Sequence, residues 1–162
     1  MRTRSAAELA ALIEAGGEPC TVTTDPDTVV GPAVVIDSRQ ATSGALFVAL
    51  PGENVDGHDY VAAAAALGAT AAIVTHQVDA PLAELVCEDA QQGLTALARS
   101  LHAEARAAGL QTVAITGSAG KTSTKDLLAQ ILAAHVELAG EDRVPDRQAP
   151  QRTRVDVVDL PV

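Results

Sequence analysis

Residues 113–123 read Val-Ala-Ile-Thr-Gly-Ser-Ala-Gly-Lys-Thr-Ser, and this stretch decides the fold. The run 112–116 predicts a short strand. The apolar residues after the loop recur with the spacing of one helix face; they are Leu127, Leu128, Ile131 and Leu132. A glycine loop between a strand and a helix turns successive backbone N–H groups inward at a helix N-terminus, which suits phosphate. The stretch therefore predicts a strand, a phosphate-binding loop (P-loop) and a helix.

Each residue type in the loop suits the phosphates of a nucleotide. Gly117 and Gly120 permit the turn. Lys121 would reach the terminal phosphates as a point charge, and the hydroxyl of Thr122 is placed to bind the Mg²⁺ that bridges them. The common spacing G-x-x-x-x-G-K-[ST] needs a glycine where this chain has Ile115, so this is the shorter G-x-x-G-K-[ST] form. The alternative interpretation is a glycine-rich turn that happens to carry a lysine.

Strands and helices alternate in the residues before the loop. Ser5 and Glu8 have the spacing of a capping box and open a predicted helix that ends at the Gly16-Gly17 pair. Further strands are predicted at 33–36, 46–50, 71–75 and 85–86, and further helices at 59–67 and 90–108. This alternation predicts an α/β fold with a largely parallel sheet that is covered on both faces, where ligands bind beyond the carboxyl ends of the strands.

Composition excludes several classes of protein. The chain has 162 residues, a formal net charge of -10, 48% hydrophobic residues and 1% aromatic residues. The acidic balance without a basic stripe argues against a nucleic-acid partner, and the longest apolar run is too short for a membrane span. Cys20 and Cys87 lack ligand-spaced neighbours, so we expect two buried apolar thiols rather than a zinc site or a disulfide framework. A soluble, monomeric, cytoplasmic protein is the expectation.

A resemblance emerges when the P-loop is taken together with the residues before it. The stretch 115–125, Ile-Thr-Gly-Ser-Ala-Gly-Lys-Thr-Ser-Thr-Lys, resembles the ATP loop of the Mur ligases, which build the peptide stem of bacterial peptidoglycan. The upstream stretches Asp-Ser-Arg (37–39), Gly-Ala-Leu-Phe-Val-Ala-Leu (44–50), Gly-Glu-Asn-Val-Asp-Gly-His-Asp-Tyr (52–60) and Leu-Gly-Ala (67–69) are similar to the N-terminal UDP-sugar-binding domain of that family. The two signatures stand in the family's order.

The resemblance implies a domain organisation. Residues 1–108 would form the UDP-sugar-substrate-binding α/β domain. Residues 109–138 would supply the first strand, the P-loop and the first helix of a Rossmann-like ATPase domain that is truncated here. Residues 139–162 form a divergent Pro/Arg/Gln-rich tail, expected to be disordered and interpreted either as a frameshifted or rearranged end or as a natural tail.

The resemblance also implies a reaction. ATP would phosphorylate the terminal carboxylate of UDP-N-acetylmuramoyl-tripeptide, and the amine of D-alanyl-D-alanine would attack the acyl phosphate. The residues implied to hold ATP and Mg²⁺ are Gly117, Ser118, Ala119, Gly120, Lys121, Thr122 and Ser123, with Lys121 as the catalytic cation and Thr122 as the metal ligand. Ser38 and Arg39 would bind the uridine and diphosphate end of the other substrate. Glu53 and Asn54 would contact the uracil.

Alternatives remain open for individual residues. Asp37 could cap a structural turn at the end of a strand. His58 could contact substrate or open a helix. Lys125 could be a solvated surface residue or act near the nucleotide. His76, His102 and His135 are expected at the surface.

Alternatives also remain open for the whole chain. Within the family, the G-S-x-G-K-T-S-x-K loop favours the D-alanyl-D-alanine-adding ligases over the diaminopimelate- or lysine-adding ligases. The chain could instead be a non-catalytic module that binds UDP-muramoyl peptides, and we expect it to be inactive alone. A small kinase or regulatory ATPase that shares only the loop is the third candidate.

Overall fold

The computed structural model describes residues 1–52, 55–116, 119–141 and 158–159, with side chains as far as Ala133 in the last helix. The chain divides into two compact units, which we call the N-terminal unit (Met1–Ala103) and the C-terminal unit (Glu104–Val162). Among the described residues, no helix combines the length and the apolar character that a bilayer crossing demands.

A five-stranded sheet forms the centre of the N-terminal unit. Its strands are β2 (Cys20–Val22), β4 (Val34–Val35), β5 (Leu46–Val48), β6 (Ala71–Val74) and β7 (Ala83–Cys87). They lie in the order β2-β7-β6-β5-β4, and every neighbouring pair from β4 to β7 is parallel. The predicted parallel sheet is confirmed. Strand β2 was not predicted, and it pairs antiparallel with β7 at one edge. A separate antiparallel pair joins β1 (Arg4–Ser5) to β3 (Val29–Val30).

Helices cover both faces of this sheet, as the alternating pattern predicted. On one face, α1 (Ala6–Ala15) and α3 (Ala90–Ala107) pack on the inward side chains of the strands, among them Leu46, Ile73 and Leu85. On the other face, α2 (Val61–Ala66) packs on Phe47 and Val74. Successive residues of a strand point to opposite faces, so the uniformly apolar strands serve both cores.

Local signals predicted the ends of several helices correctly. The hydroxyl of Ser5 accepts a hydrogen bond from the Glu8 backbone N–H at 3.2 Å, and the Glu8 carboxylate accepts one from the Ser5 N–H at 2.9 Å. This capping box opens α1, and Gly16 caps its end. Gly68 and Gly109, at the ends of the next two helices, have positive φ angles of 107° and 97°, a conformation that favours glycine.

The predicted helix 59–67 needs a correction. Residues Gly57–Tyr60 form a 3-10 turn, and α2 begins only at Val61. The side chain of Asp56 accepts the His58 backbone N–H, so a local side-chain hydrogen bond tightens this segment before the α-helix starts. Strands β4 and β5 are also shorter than predicted, because β5 ends at Val48 rather than at residue 50 and β4 spans two residues. Strand β7, at Ala83–Cys87, is longer than the predicted 85–86.

The C-terminal unit contains the predicted strand and helix around the glycine loop. Strand β8 (Ala114–Ile115) is shorter than the predicted 112–116, and α4 extends from Lys121 to Glu141. Of the tail 139–162, the structure describes the end of α4 and strand β9 (Val158–Asp159), which pairs parallel with β8. The rest of the tail lies outside the described residues, so its expected disorder stays a prediction.

Candidate functional site

A cleft of about 500 Å³ opens at the carboxyl ends of β4 and β5. We call it the β4–β5 cleft. Its lining residues come from the ends of these two strands and from the segment that leads into α2: Ile36, Asp37, Ser38, Arg39, Phe47, Leu50, Val55, Gly57 and Tyr60. This edge of a parallel sheet is where α/β proteins bind ligands. The predicted site residues Ser38 and Arg39 line the cleft, whereas Glu53 and Asn54 lie outside the described residues.

A 3-10 turn, Ser38–Gln40, forms the polar wall of the cleft. The carboxylate of Asp37 accepts hydrogen bonds from the Arg39 backbone N–H at 3.0 Å and from its guanidinium Nε and Nη2 at 2.9 and 2.7 Å. The Arg39 side chain, followed by its backbone N–H, holds the pKa of Asp37 below the usual value of 3.8. Ser38 is buried, whereas the Arg39 side chain is 85% exposed. Asp37 therefore caps this turn, and the same turn presents a cation beside the cleft.

The segment on the opposite side of the cleft is anchored by a buried histidine. His58 Nδ1 lies 2.6 Å from Asp56 Oδ1, and His58 Nε2 accepts the Thr75 backbone N–H at 2.9 Å. Since Nε2 is an acceptor, the proton is on Nδ1 and is donated to Asp56. The ring also stacks on His76 at 4.2 Å. Both ring nitrogens are engaged within the fold, so His58 connects this segment to the end of β6. The structure does not support its alternative role as a substrate contact.

Gly57 allows this segment to approach β5. A Cβ at Gly57 would lie 2.6 Å from the carbonyl oxygen and 2.7 Å from the nitrogen of Leu50. Both are backbone atoms that cannot move aside, so only glycine permits the contact.

Aromatic residues in the cleft were missed by the sequence analysis. The chain contains one Phe and one Tyr and no Trp, and both Phe47 and Tyr60 line the β4–β5 cleft. Phe47 is buried, while Tyr60 is 42% exposed. The scarcity of aromatic residues was the available signal, because two such side chains in an otherwise aliphatic protein are candidates for ligand contact.

The glycine loop of the C-terminal unit forms a second, smaller concavity. It has a volume of about 260 Å³ and is lined by Ala119, Gly120, Lys121, Thr122 and Ser123. Gly120 has a φ of 78°, and α4 begins at the next residue. Its carbonyl oxygen accepts both the backbone N–H and the hydroxyl of Thr124, each at 2.9 Å. The structure thus brings together five of the seven predicted loop residues, while Gly117 and Ser118 lie outside the described residues.

Lys125 follows the loop by one helical turn. Its ammonium lies 3.6 Å from the carboxylate of its neighbour Asp126, and its side chain is 38% exposed. Lys125 is thus half-buried, and both interpretations of its role stay predictions.

Comparison with known proteins decides the family. Residues 32–135 match the Mur ligase family, catalytic domain. The chain belongs to the Mur ligase family. This Mur ligase chain is 40% identical over 135 residues to a UDP-N-acetylmuramoyl-tripeptide–D-alanyl-D-alanine ligase of Mycobacterium leprae, covering 70% of the chain and 25% of the relative. It is 35% identical over 107 residues to a UDP-N-acetylmuramoyl-L-alanyl-D-glutamate–2,6-diaminopimelate ligase of Bacillus licheniformis, covering 66% and 21%.

Solved structures agree with this assignment. The Mur ligase chain superimposes on MurF from Acinetobacter baumannii with a TM-score of 0.70 and 34% identity, covering 83% of this chain and 28% of that one. It superimposes on the MurF ligase of Thermotoga maritima in complex with ADP with a TM-score of 0.53 and 30% identity, covering 63% and 23%. The chain thus spans about a quarter of the length of the relatives it matches.

Proposed function

We propose that this Mur ligase chain acts in peptidoglycan precursor synthesis as the UDP-substrate and ATP-loop part of a ligase that adds D-alanyl-D-alanine to UDP-N-acetylmuramoyl-tripeptide. The observation that carries the proposal is the β4–β5 cleft, where Ser38 and Arg39 meet the two aromatic residues at the carboxyl edge of the sheet. The choice of D-alanyl-D-alanine rests on the loop sequence and on the mycobacterial relative. Such precursors and ATP place the proposed function in the cytoplasm.

The cleft suits the uridine-diphosphate end of such a substrate. Its volume lies within the range of roughly 300–1,000 Å³ that is common for small-molecule sites. The exposed ring of Tyr60 offers a face for a planar base. Arg39 offers a guanidinium to the diphosphate, and a diphosphate would compete with Asp37 for it. Glu53 and Asn54, which border Val55 in the sequence, are proposed as uracil contacts because their side chains can pair with its polar edge.

The glycine loop suits the phosphates of ATP. Gly120 holds a left-handed conformation directly before α4, so the loop backbone and the helix N-terminus face one anion site. Lys121 is proposed to stabilise charge on the γ-phosphoryl group during its transfer. The hydroxyl of the exposed residue Thr122, in the first turn of α4, is proposed as the group that would hold Mg²⁺. Bound Mg²⁺ would neutralise charge on the phosphate oxygens.

The proposed reaction has two steps. An oxygen of the tripeptide carboxylate attacks the γ-phosphorus of ATP, the bond to the β–γ bridging oxygen breaks, and ADP leaves. The neutral amine of D-alanyl-D-alanine then attacks the acyl carbon, phosphate leaves with the electron pair of the C–O bond, and the nitrogen loses a proton. The contribution of this chain is to hold the uridine end in the cleft and the ATP phosphates in the loop, which lowers the entropic part of the barrier.

A non-catalytic binding module is the second candidate function. The cleft lies entirely within the N-terminal unit, which has its own cores on both faces of the sheet. The cleft proposed for the uridine end therefore contains no residue of the C-terminal unit, and the chain could bind this ligand without turnover.

One pair of assays separates the candidates. Titration calorimetry with UDP-N-acetylmuramoyl-tripeptide should show binding. Titration of the Lys121→Ala variant with adenosine diphosphate is the control for a general nucleotide effect. Phosphate release that needs ATP, the tripeptide and D-alanyl-D-alanine would support the ligase. Phosphate release with the UDP-muramoyl dipeptide and diaminopimelate would support a diaminopimelate-adding ligase instead. Binding without release would support the module, and absence of binding would refute both proposals for the cleft.

The role of the loop has its own test. If release is observed, Lys121→Ala should abolish it while the affinity for the UDP-linked substrate stays unchanged. Retained release in this variant would refute the assigned role of Lys121.

A further inference from the structure

Two thiols of the N-terminal unit face each other across neighbouring strands. Cys20 on β2 is the register partner of Cys87 on β7 in the antiparallel pair. Both side chains are buried in the core under α1 and α3, with 6% and 3% of their surface exposed, and both are free thiols. Their separation in the sequence indicates no pairing, and only the addition of β2 to the edge of the sheet brings them together.

The hydrogen-bond pattern of the strands places these residues at a close position. The Thr23 backbone N–H donates to the Glu84 carbonyl at 3.1 Å, which places these opposed residues at a hydrogen-bonded position of the ladder, although the Glu84 N–H donates to the Thr24 hydroxyl. Hydrogen-bonded and non-hydrogen-bonded pairs alternate along an antiparallel ladder. Counting back along the register makes Cys20 and Cys87 a non-hydrogen-bonded pair. Such pairs have a Cα separation of about 4.5 Å, which lies within the range of about 4.4–6.8 Å that disulfides span.

The two thiols change each other's pKa, while burial and the carboxylates of Glu18 and Asp89 act against the thiolate of Cys87. The Cys20 thiol interacts with the Cys87 sulfur, which raises the pKa of Cys20 and lowers the pKa of Cys87. A lower pKa increases the thiolate fraction of Cys87, and the thiolate is the nucleophile in disulfide exchange. Gly93 of α3 leaves room for the Cys87 side chain, because a Cβ at this position would lie 2.9 Å from the Cys87 sulfur.

We propose that Cys20 and Cys87 form an oxidant-sensitive dithiol that closes to an intrachain disulfide between β2 and β7 when it meets a low-molecular-weight disulfide. The Cys87 thiolate attacks one sulfur of the small disulfide, forms a mixed disulfide and releases one thiolate. That thiolate takes the proton of Cys20, and the Cys20 thiolate attacks the Cys87 sulfur. The second small thiolate leaves and takes a proton from solvent. The protein loses two hydrogen atoms, and the small disulfide is reduced to two thiols.

The disulfide would link the edge strand β2 covalently to its neighbour β7. Strand β2 joins the sheet only through β7 among the described strands, and it follows α1 directly in the chain. A covalent link at Cys20 would hold this edge in place and shorten the free loops of the unfolded chain, which stabilises the folded state.

Oxidised glutathione is the probe for the test. The purified full chain is incubated with it under native conditions, quenched with acid and digested without reductant. We expect loss of both titratable thiols, a peptide pair linked through Cys20 and Cys87 without bound glutathione, and a higher Tm than that of the reduced chain. The variants Cys20→Ala and Cys87→Ala serve as matched controls, because each keeps one thiol and should gain at most one glutathione.

Three results would overturn the proposal. In the first, both thiols of the native chain persist while the denatured chain forms the bond. In the second, each cysteine carries its own glutathione. In the third, the disulfides link separate chains. These outcomes are measured on the wild-type chain, so a poorly folding variant does not affect them.

Discussion

At the scale of the residue, His58 shows how a side chain with two plausible roles is assigned by its neighbours. The sequence left open whether it contacts substrate or opens a helix. In the fold, its Nδ1–H donates to Asp56 and its Nε2 accepts the Thr75 N–H, so the ring has no nitrogen left for a ligand. The residue that caps the 3-10 turn is Asp56. These contacts join the cleft segment to the end of β6.

Removal of the acceptor at residue 56 should loosen this segment. Asp56→Ala loses the oxygen that receives the backbone N–H and the ring N–H of His58. We expect a lower Tm and weaker binding of the UDP-linked ligand, whereas Asp56→Asn, which keeps an acceptor oxygen, should lose less of each. Asp59→Ala removes an exposed carboxylate from the same turn and should change neither quantity. Equal effects of the alanine and asparagine variants would contradict the capping role.

Low pH should reveal how much the Asp56 carboxylate contributes to stability. The backbone N–H of His58, followed by its ring, lowers the pKa of Asp56 below its usual value of 3.8. A carboxyl with a lowered folded-state pKa contributes stability that is complete above its unfolded-state pKa and is lost as the pH falls through the folded-state value. We therefore expect the Tm of the wild type to fall more steeply below about pH 4 than that of Asp56→Asn. Parallel melting curves for the two proteins would refute this contribution.

The ring of Tyr60 should carry part of the affinity for a uridine nucleotide. Stacking of a base on an aromatic side chain contributes about 1–3 kcal/mol, which is a change in Kd of roughly 5-fold to 150-fold. Tyr60→Ala should weaken binding by an amount in this range, while Tyr60→Phe keeps the ring face and should bind like the wild type. Titration calorimetry measures both. An unchanged Kd in Tyr60→Ala would show that the base does not stack on this ring.

At the scale of the element, the close approach of α1 to α3 depends on the absence of a Cβ atom at position 16. The Gly16-Gly17 pair ends α1 as predicted, yet the two positions favour glycine for different reasons. Gly17 adopts a φ of 103°, whereas Gly16 has an ordinary φ of -79°. A Cβ on Gly16 would overlap the carbonyl oxygen of Ala96 and lie 2.6 Å from its carbonyl carbon. Gly16 is therefore needed for the contact between the helices, and Arg99 of α3 donates to its carbonyl oxygen.

Gly16→Ala should separate these two helices. Because the obstacle is backbone, relief requires movement of a whole element, and overpacking of this kind costs about 1–3 kcal/mol. Urea denaturation should show a loss of unfolding free energy in this range or above it. Ala15→Ser adds one atom at the adjacent exposed position and should stay within about 0.5 kcal/mol of the wild type. A Gly16→Ala variant as stable as that control would contradict the close approach.

At the scale of the whole molecule, the described residues of the two units differ in how much apolar surface they bury. Both cores lie in the N-terminal unit. In the C-terminal unit, none of the residues described at 104–116 and 119–133 is buried, and Leu127 and Ile131 are 60% and 57% exposed. Buried apolar surface is the main stabilising contribution to folding, and among the described residues it lies in the N-terminal unit.

Hydrogen exchange should reflect this difference. Backbone amides of β5, β6 and β7 should exchange slowly, because opening them requires loss of both cores. Amides of β8 and α4 should exchange much faster in the same sample, as measured by mass spectrometry of peptic peptides. Uniform protection from β5 through residue 132 would refute the difference in stability.

The sequence by itself determined the features that depend on near neighbours in the chain. The capping box of Ser5 and Glu8, the glycines that end helices, the α/β alternation and the P-loop spacing all rest on interactions within a few residues, and they predicted the parallel sheet and its two covered faces. The Mur ligase resemblance came from the same local motifs, and the match over residues 32–135 confirmed it.

Only the tertiary structure decided the features that join distant segments. Strand β2 is short and lies in a Thr/Asp/Pro-rich region, so nothing local marked it, and its pairing with β7 alone opposes Cys20 to Cys87. Phe47 and Tyr60 meet in one cleft because β5 and the segment before α2 end at the same edge of the sheet. The need for glycine at position 16 arises from a helix 80 positions further along the chain. Contacts of this kind depend on which elements pack together, and the local spacing of residues does not determine that packing.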